Sequence, residues 1–380
     1  MIKSKFISGL VLTVFFSSSL FSQSFKFAAM CDSRGPNDGV NLPVLSAFVD
    51  HIMKNNSDIK FLAFPGDLVD GSRTNPEATV RELKHWKEVM APIYNNPKMV
   101  WPKIWALTGN HELRTRFDEE NFKKAFPDVF MNGPEDEKGL TYSFDFENSH
   151  FVFIATGRWY YGDPKDTTDD KADWHYVKSL DWLEKDLAAT QQRQVKHIFV
   201  MGHESAFPIG GHIRDGLPNL GLNPPAMPLD STRKWFLDQR DRFWSLLSKN
   251  KVEAYICGHE HIYGRESVDG VYQIVSGSAG APLYYLNSKY GDNPQTKRPG
   301  QELTYDEALP YYKLLNYNYG PNGNAQASKD FVGYRAFEYL VFDVQDDKVE
   351  VKTYGAYPKE GTLNQMGTDI SLIDEFTIKK

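Results

Sequence analysis

Cysteine is nearly absent from this chain: two cysteines, Cys31 and Cys257, occur among 380 residues. So few cysteines exclude a small domain held together by disulfides and a zinc module built from thiolates. Both lie directly beside short polar motifs that are described below, so the fold could bring them near each other. We expect two buried free thiols, and a disulfide between them is the alternative.

The chain also has fewer positively charged than negatively charged residues. The chain has 43 lysine and arginine residues against 50 aspartate and glutamate residues, which gives a formal net charge of −7 at pH 7. An acidic protein is poorly suited to duplex nucleic acid, because that affinity comes largely from cationic side chains that displace counterions. The sequence shows no basic channel, and nucleic acid is not expected as a partner.

Long hydrophobic runs are missing as well. Residues 1–23 carry Lys3 and Lys5, then an apolar run from Phe6 to Phe16, then a serine-rich stretch. This is the layout of a secretory signal peptide, and a run of about eleven residues is too short to cross a bilayer. A buried N-terminal helix is the alternative. We therefore expect an exported protein, periplasmic or secreted, with no membrane span in the mature chain.

After the leader, short apolar runs alternate with segments of helical periodicity, and this alternation favours an α/β fold. Buried strands are predicted at Phe25–Met30, Ile59–Phe64, Lys103–Leu107, Lys196–Met201 and Glu253–Ile256. Helices are predicted at Leu42–Asn55, Pro76–Met90, Asp118–Phe126, Leu180–Ala189 and Thr232–Lys249. Two hairpins, Thr141–Phe146 with Phe151–Ala155 and Ala336–Asp343 with Lys348–Tyr354, indicate that the sheet structure is not purely parallel.

The predicted domain organisation is simple. One catalytic domain covers residues 24–356 and follows the signal peptide at 1–23. Residues 283–330 are rich in tyrosine and asparagine with scattered glycine and proline, and they form a predicted insertion on this domain. Residues 357–380 are separated as a C-terminal tail without an assigned role.

Each of the five predicted strands leads into a side chain that can bind a metal ion. The motifs are Cys31-Asp32, Gly66-Asp67, Gly109-Asn110-His111, Gly202-His203 and Gly258-His259-Glu260-His261. Ligands of open α/β sheets bind beyond the carboxyl ends of the strands, so these five ends are expected to converge. Any one motif alone is compatible with an ordinary turn. All five together, in this order and at strand ends, favour a binding site.

Carboxylate, amide oxygen and imidazole are the donors of these motifs, and they suit a divalent cation such as manganese, iron or zinc. Asp67 could bridge two ions through its two carboxylate oxygens. Two ions about 3.5 Å apart would clamp a phosphoryl group and generate a hydroxide nucleophile at neutral pH. The sequence therefore predicts one or two divalent ions per chain and a small phosphorylated substrate.

The same motifs resemble the calcineurin-like metallophosphoesterase family. The blocks of that family read D-x-H, G-D-x-x-D, G-N-H-[DE], G-H and G-H-x-H. Their counterparts here are Asp32-Ser33-Arg34, Gly66 to Asp70, Gly109 to Glu112, Gly202-His203 and Gly258 to His261. The resemblance covers roughly Phe25 to Pro282. It implies a two-sheet sandwich flanked by helices, with the metal site at the C-terminal ends of the strands.

The resemblance also implies a role for each site residue. The first metal would be held by Asp32, Asp67 and His261, and the second by Asp67, Asn110, His203 and His259. His111 would protonate the leaving group or contact the phosphate, and Asp70 would steady His111. The implied activity is that of an exported metal-dependent phosphoesterase, which hydrolyses a small phosphomonoester or phosphodiester through metal-activated hydroxide.

Arg34 departs from the family pattern, since it stands where the first block usually has histidine. A guanidinium stays protonated and cannot donate a lone pair to a metal. Three outcomes are open: water completes a weaker first metal site, the guanidinium binds the substrate phosphate in a one-metal enzyme, or catalysis is lost. In the last case the chain would be a phosphate- or glycan-binding module on the same scaffold. The oligomeric state is left open.

Overall fold

The computed structural model describes residues 24–115, 117–156, 177, 179–193, 195–207, 229–283 and 332–380, and for 229–238 the backbone alone. The predicted signal peptide at 1–23 lies outside these residues. So does the predicted insertion at 283–330, apart from Leu283, which is buried. Across the described part of the chain, no helix has both the length and the apolar character needed to cross a membrane.

The described residues form fifteen strands and six helices. In chain order the strands are β1 (Phe25–Ala29), β2 (Arg34–Gly35), β3 (Gly39–Val40), β4 (Leu62–Pro65), β5 (Ile104–Leu107), β6 (Tyr142–Phe146), β7 (Ser149–Phe153), β8 (His197–Met201), β9 (Ala254–Cys257), β10 (Tyr263–Val268), β11 (Val271–Ser276), β12 (Val332–Tyr334), β13 (Phe337–Val344), β14 (Lys348–Ala356) and β15 (Ser371–Lys379). The helices are α1 (Leu42–Asn55), α2 (Pro76–Val89), α3 (Ala91–Tyr94), α4 (Asp118–Ala125), α5 (Leu180–Thr190) and α6 (Leu229–Lys249).

Two mixed sheets organise these strands. The first has the order β15-β14-β13-β1-β4-β5 and the second the order β12-β10-β11-β9-β8-β7-β6, while β2 and β3 form a separate short pair. The predicted α/β class, the five predicted strands, the five predicted helices and both hairpins are confirmed, and their boundaries differ by at most three residues. Helix α2 shows why the start of a helix could be predicted. Pro76 is its first residue, and the Asn75 side chain accepts the Glu77 N–H.

The sequence predicted no strand or helix in residues 357–380, but the structure has a strand there. These residues contain β15, which pairs antiparallel with β14 at the edge of the first sheet. Its pattern is weak because an edge strand is held mainly by backbone hydrogen bonds. Ile378 is buried, whereas Leu372 is 47% exposed.

The core lies between the two sheets, where aromatic rings from both inner faces meet. Phe27 of β1 stacks on Phe342 of β13 with ring centroids 4.5 Å apart. The same ring meets two rings of the second sheet edge-on, Phe151 at 5.2 Å and Phe199 at 5.1 Å. Such pairs contribute about 0.5–1.5 kcal/mol each beyond their buried area. A second apolar layer joins the other face of the second sheet to α5 and α6.

This packing fixes where the motifs lie. Strands β1, β4 and β5 run parallel in the first sheet, and β7, β8 and β9 run parallel in the second. Parallel neighbours present their carboxyl ends at the same edge, so the polar motifs that follow β1, β4, β5, β8 and β9 come together at one end of the sandwich.

Candidate metal centre

The nine site residues predicted from the sequence are brought together at this end of the sandwich. Contacts of 3.9 Å or less link them into one group. The group consists of Asp32, Arg34, Asp67, Asp70, Asn110, His111, His203, His259 and His261. Five segments far apart in the sequence supply it, as the convergence of the strand ends predicts.

The first set of donors lies between the two sheets. One oxygen of Asp32, one oxygen of Asp67 and one ring nitrogen of His261 all lie within 4.8 Å of one another, and all three residues are buried. The Oδ1 atom of Asp32 lies 3.5 Å from Nε2 of His261. The other oxygen, Oδ2, accepts the backbone N–H of His259 at 2.9 Å, which fixes the orientation of the carboxylate.

A second set of donors surrounds His203. Its Nε2 atom lies 3.3 Å from Oδ1 of Asp67 and 3.2 Å from Oδ1 of Asn110. The His259 ring packs edge-on against the His203 ring, with centroids 5.1 Å apart. Asp67 therefore belongs to both sets; its Oδ1 atom faces His203 and its Oδ2 atom faces Arg34 at 3.5 Å.

Backbone carbonyls fix three of the imidazoles. Nδ1 of His203 lies 3.0 Å from the Pro65 carbonyl, and Nδ1 of His261 lies 2.9 Å from the Pro282 carbonyl. Nδ1 of His111 lies 2.6 Å from the carbonyl of Asp70. A carbonyl oxygen only accepts, so each Nδ1 carries a proton, and in the neutral form of each ring the lone pair lies on Nε2. Burial would lower the pKa of His203, but the charges of Asp67 and Asp32 hold it well above its usual range, and Nε2 of this ring faces the acceptor oxygens of Asp67 and Asn110.

The backbone reaches this geometry through uncommon conformations. Asp32, Asp67 and His259 have φ values of 60°, 49° and 69°, in the left-handed region that non-glycine residues rarely adopt. At Gly109 a Cβ atom would lie 2.2 Å from Oδ1 of Asp67, and at Gly258 it would lie 2.2 Å from Oδ2 of Asp32. Only glycine lets these two turns approach the carboxylates so closely.

Arg34 lies inside this arrangement. It belongs to β2, and its side chain is 19% exposed. The Nε atom lies 3.5 Å from Oδ2 of Asp67, and the two amino nitrogens lie 3.3 Å from Nε2 of His261 and 3.4 Å from Oδ1 of Asp70. The guanidinium thus contacts two of the three residues of the first donor set.

Burial and charge shift the protonation of the carboxyl groups in opposite directions. Burial raises the pKa of Asp32 to about 7, and the nearby Asp67 charge acts in the same direction. Burial would also raise the pKa of Asp67, but His111, His203 and Arg34 hold it well below its usual range. Burial lowers the pKa of His111, with Arg34 and Arg114 acting in the same direction against Asp67.

Both cysteines are buried free thiols, as expected. Cys31 lies against Asp32 and His203, with Sγ 3.7 Å from Nδ1 of His203. Its thiol donates toward the backbone oxygens of Pro65 and Gly66, and burial raises its pKa well above the usual range. Since a metal ligand must be a thiolate, we do not count Cys31 among the donors.

Two further residues of the site were not assigned by the sequence analysis. Glu112 is fully buried and accepts three backbone N–H groups, from Asp67, Val69 and Gly109. Its place in the Gly-Asn-His-Glu motif was a usable signal. Arg114 contacts the ring of His111, with Nη2 at 2.6 Å from Nδ1 and 2.8 Å from Nε2. Nothing in the sequence around Arg114 marks it.

A divalent cation fits these donors. The Oδ1 atom of Asp32 is buried and has no hydrogen-bond partner among the described residues. A buried carboxylate oxygen without a partner costs about 1–3 kcal/mol, and a cation would offset that cost. The remaining donors are carboxylate, amide oxygen and neutral imidazole, which are the ligands that manganese, iron and zinc accept.

Known proteins resemble this chain in sequence and in fold. The profile of the calcineurin-like phosphoesterase family matches residues 38–263. That range includes Asp67, Asn110, His203, His259 and His261, and it begins after Asp32 and Arg34. Acid phosphatase type 7 of Mus musculus is 27% identical over 188 residues, 48% of this chain and 36% of that protein. The alignment thus spans about a third of that relative's length.

Solved structures share the architecture at low sequence identity. A purple acid phosphatase from yellow lupin (Lupinus luteus) seeds has a TM-score of 0.57 at 14% identity, over 94% of this chain and 54% of that one. A dimetal phosphatase from Danio rerio has a TM-score of 0.52 at 12% identity, over 93% and 98% of the two chains. Identities this low show a shared fold.

Proposed function

The chain belongs to the calcineurin-like phosphoesterase family, and within it we propose a metal-dependent hydrolase of small phosphate esters. The observation that carries the proposal is the first donor set. Asp32, Asp67 and His261 bring two carboxylate oxygens and an imidazole nitrogen within 4.8 Å of one another in a buried setting. A structural role for three such groups is costly, because burying a charge without a partner is unfavourable.

The proposed ligands divide as the family resemblance implies. Asp32, Asp67 and His261 would hold one ion, and Asp67, Asn110, His203 and His259 would hold the other. A divalent cation bound there would polarise a phosphoryl oxygen and lower the pKa of a water molecule. The carbonyls of Pro65 and Pro282 keep His203 and His261 in the tautomer that a ligand requires.

His111, Asp70 and Arg34 would act on the substrate. His111 lies 3.9 Å from Asp67 and is held by Asp70 through both the carbonyl and the side chain. The lowered pKa of His111 favours the neutral ring, so donation of a proton to the leaving group would require the ring to take up a proton first. Arg34 brings a fixed positive charge to the same place, and charge that develops on phosphoryl oxygens would be stabilised by it.

The relatives support the same chemistry. The curated relative and the lupin structure are both phosphatases by name, which favours a phosphate ester as substrate. The acidic net charge argues against long nucleic acid as that substrate. We further propose that the enzyme is exported, on the strength of the layout of residues 1–23, and that it takes one or two ions of manganese, iron or zinc.

The experiment is a metal-reconstitution assay on the full chain and on His111→Ala. After treatment with a chelator, each metal is added back and hydrolysis of 4-nitrophenyl phosphate and bis(4-nitrophenyl) phosphate is followed. We expect metal-dependent turnover that falls by at least about 100-fold in His111→Ala, with metal content unchanged. His85→Ala is the matched control, because His85 lies on α2 and contacts Glu88 at 3.8 Å. Absence of turnover with every metal would contradict the proposal.

A second candidate function follows from one observation, the Arg34 guanidinium within the first donor set. If it has displaced the ion and ended catalysis, the chain is a phosphate- or glycan-binding module. The two functions separate on His111→Ala, since a binding module would keep its affinity for inorganic phosphate whereas an enzyme would lose turnover.

A further inference from the structure

Two arginines, Arg34 and Arg114, both contact Asp70, Arg34 at its carboxylate and Arg114 at its backbone oxygen. An amino nitrogen of Arg34 lies 3.4 Å from Oδ1 of Asp70, and Nε of Arg114 donates to the backbone oxygen of Asp70 at 3.1 Å. Nη2 of Arg114 also lies 2.8 Å from Nε2 of His111. Residues 34, 70, 111 and 114 thus form one small group beside the donor set of the metal centre.

Part of the hydrogen-bonding capacity of Arg114 is left over. A guanidinium has five N–H donors. Arg114 directs Nε toward Asp70 and Nη2 toward His111, and in the described part of the chain its Nη1 group has no partner. The contacts of Arg34 with Asp67, Asp70 and His261 are long, between 3.3 and 3.5 Å. The Arg34 guanidinium and the Nη1 group of Arg114 can therefore donate to an anion without breaking short bonds.

The two guanidinium groups favour an anion at this place. Arg34 contacts the carboxylates of Asp67 and Asp70 at 3.5 and 3.4 Å, and Arg114 contacts the backbone oxygen of Asp70. A guanidinium stays charged at every physiological pH, and its planar fork matches two oxygens of a phosphate.

We propose that Arg34 and Arg114 together bind the terminal oxygens of the substrate phosphate and select a phosphomonoester dianion over a phosphodiester. The proposal rests on the proposed phosphoesterase function and names its substrate class. A monoester has three terminal oxygens and two charges near neutral pH, whereas a diester has two terminal oxygens and one charge. The two guanidinium groups beside the metal centre can together donate hydrogen bonds to three terminal oxygens. A diester has only two, so one donor group would be left without a partner.

The test compares two substrates with the same leaving group, 4-nitrophenyl phosphate and methyl 4-nitrophenyl phosphate. The methyl group removes one terminal oxygen and one charge. For the metal-loaded full chain we expect a higher kcat/KM with the monoester. In Arg114→Gln and Arg34→Gln, the kcat/KM for the monoester should fall on the order of 100-fold and that for the diester less than about 10-fold. The inhibition constant of inorganic phosphate should rise in parallel.

Controls make the outcome specific. Arg81→Gln removes the same charge at an exposed position, where Arg81 lies 3.6 Å from Asp38, and it should leave both rates unchanged. Arg114→Lys keeps the positive charge but loses the planar fork, so we expect it to lose part of the preference for the monoester. This variant also tests the proposal if Arg114→Gln does not fold.

The proposal is overturned if the wild type prefers the diester, or if the arginine variants lose both substrates equally, as they would if Arg114 only positions His111. It is also overturned if phosphate inhibits the variants as well as the wild type. If no ester is hydrolysed at all, the proposed function fails. Direct calorimetric binding of inorganic phosphate to the wild type and to Arg114→Gln then still decides whether the arginine pair binds phosphate.

Discussion

The Glu112 carboxylate accepts the backbone N–H of Asp67 at 2.9 Å, and with the same oxygen it accepts the N–H of Gly109 at 2.8 Å. Its other oxygen accepts the N–H of Val69 at 2.9 Å. One buried side chain therefore joins the two turns that follow β4 and β5. It also holds Asp67 at a φ of 49°, a conformation that would otherwise be unfavourable.

Replacing Glu112 by glutamine should loosen this junction. Glutamine has a single acceptor oxygen, so its amide N–H₂ would face backbone N–H donors in a buried setting. We expect the free energy of unfolding to fall by about 2–4 kcal/mol and metal affinity to fall with it. Urea unfolding and metal titration measure the two effects. Glu120→Gln is the control, since Glu120 is exposed and contacts Lys123. Equal stability of the two variants would contradict the assigned role.

A methyl group at Gly109 should displace Asp67. The added Cβ would lie 2.2 Å from Oδ1 and 2.5 Å from the backbone nitrogen of Asp67. These contacts are too short, so either the turn or the Asp67 carboxylate must move. We expect Gly109→Ala to bind metal at least about 10-fold more weakly. Gly270→Ala is the control: its Cβ meets nothing within 4 Å, so only the strain of a φ of +82° applies. Unchanged metal affinity in Gly109→Ala would show that Asp67 is not a ligand.

The strand ends could be predicted from the sequence because each rests on local information. A short buried run followed by glycine and a polar side chain marks the end of a strand, and five such ends at one sheet edge imply a site. The edge strand β15 could not be predicted in this way, because among its residues only Ile378 is buried and the others are exposed or partly buried. The contacts of Arg114 with His111, and of Glu112 with three separate backbone groups, depend on how β4 and β5 pack, which local sequence does not encode.

Arg34→His should raise the metal content of the protein. In the wild type, the guanidinium contacts Asp67 and His261, both donors of the first set, and it supplies a positive charge where an ion would lie. Histidine would remove that charge at neutral pH and add a nitrogen ligand. After dialysis without added metal, we expect elemental analysis to give about one ion per chain for the wild type and more for Arg34→His.

Arg81→His serves as the control for this change and should match the wild type. Two tightly held ions in the wild type would contradict the expectation, since they would show that the first site fills despite the guanidinium. Essentially no bound metal in either protein, even after manganese or zinc is added, would instead favour the binding-module function.

Glu338 makes the stability of the protein depend on pH. This β13 residue is fully buried, and its carboxyl group lies 3.1 Å from the Ser276 hydroxyl and 3.3 Å from the Ser278 hydroxyl. Burial raises its pKa from 4.5 to about 8. The hydrogen bonds from Ser276 and Ser278 act to lower this pKa, and the charge of Asp32 acts to raise it. The folded protein therefore holds a proton at Glu338 that the unfolded chain releases above pH 4.5.

The sign of the effect follows from this difference. The contribution of Glu338 to stability is complete below about pH 4.5 and is lost as the pH rises toward 8, at up to about 1.4 kcal/mol per pH unit. Glu338→Gln has the same shape and no proton to lose. The free energy of unfolding of the variant minus that of the wild type should increase steadily from pH 5 to pH 8, as measured by urea unfolding. Because the charge of Asp32 contributes to the Glu338 shift, the difference also contains the interaction between these two carboxyl groups. A difference that stays constant with pH would show that Glu338 is ionised in the folded protein throughout this range.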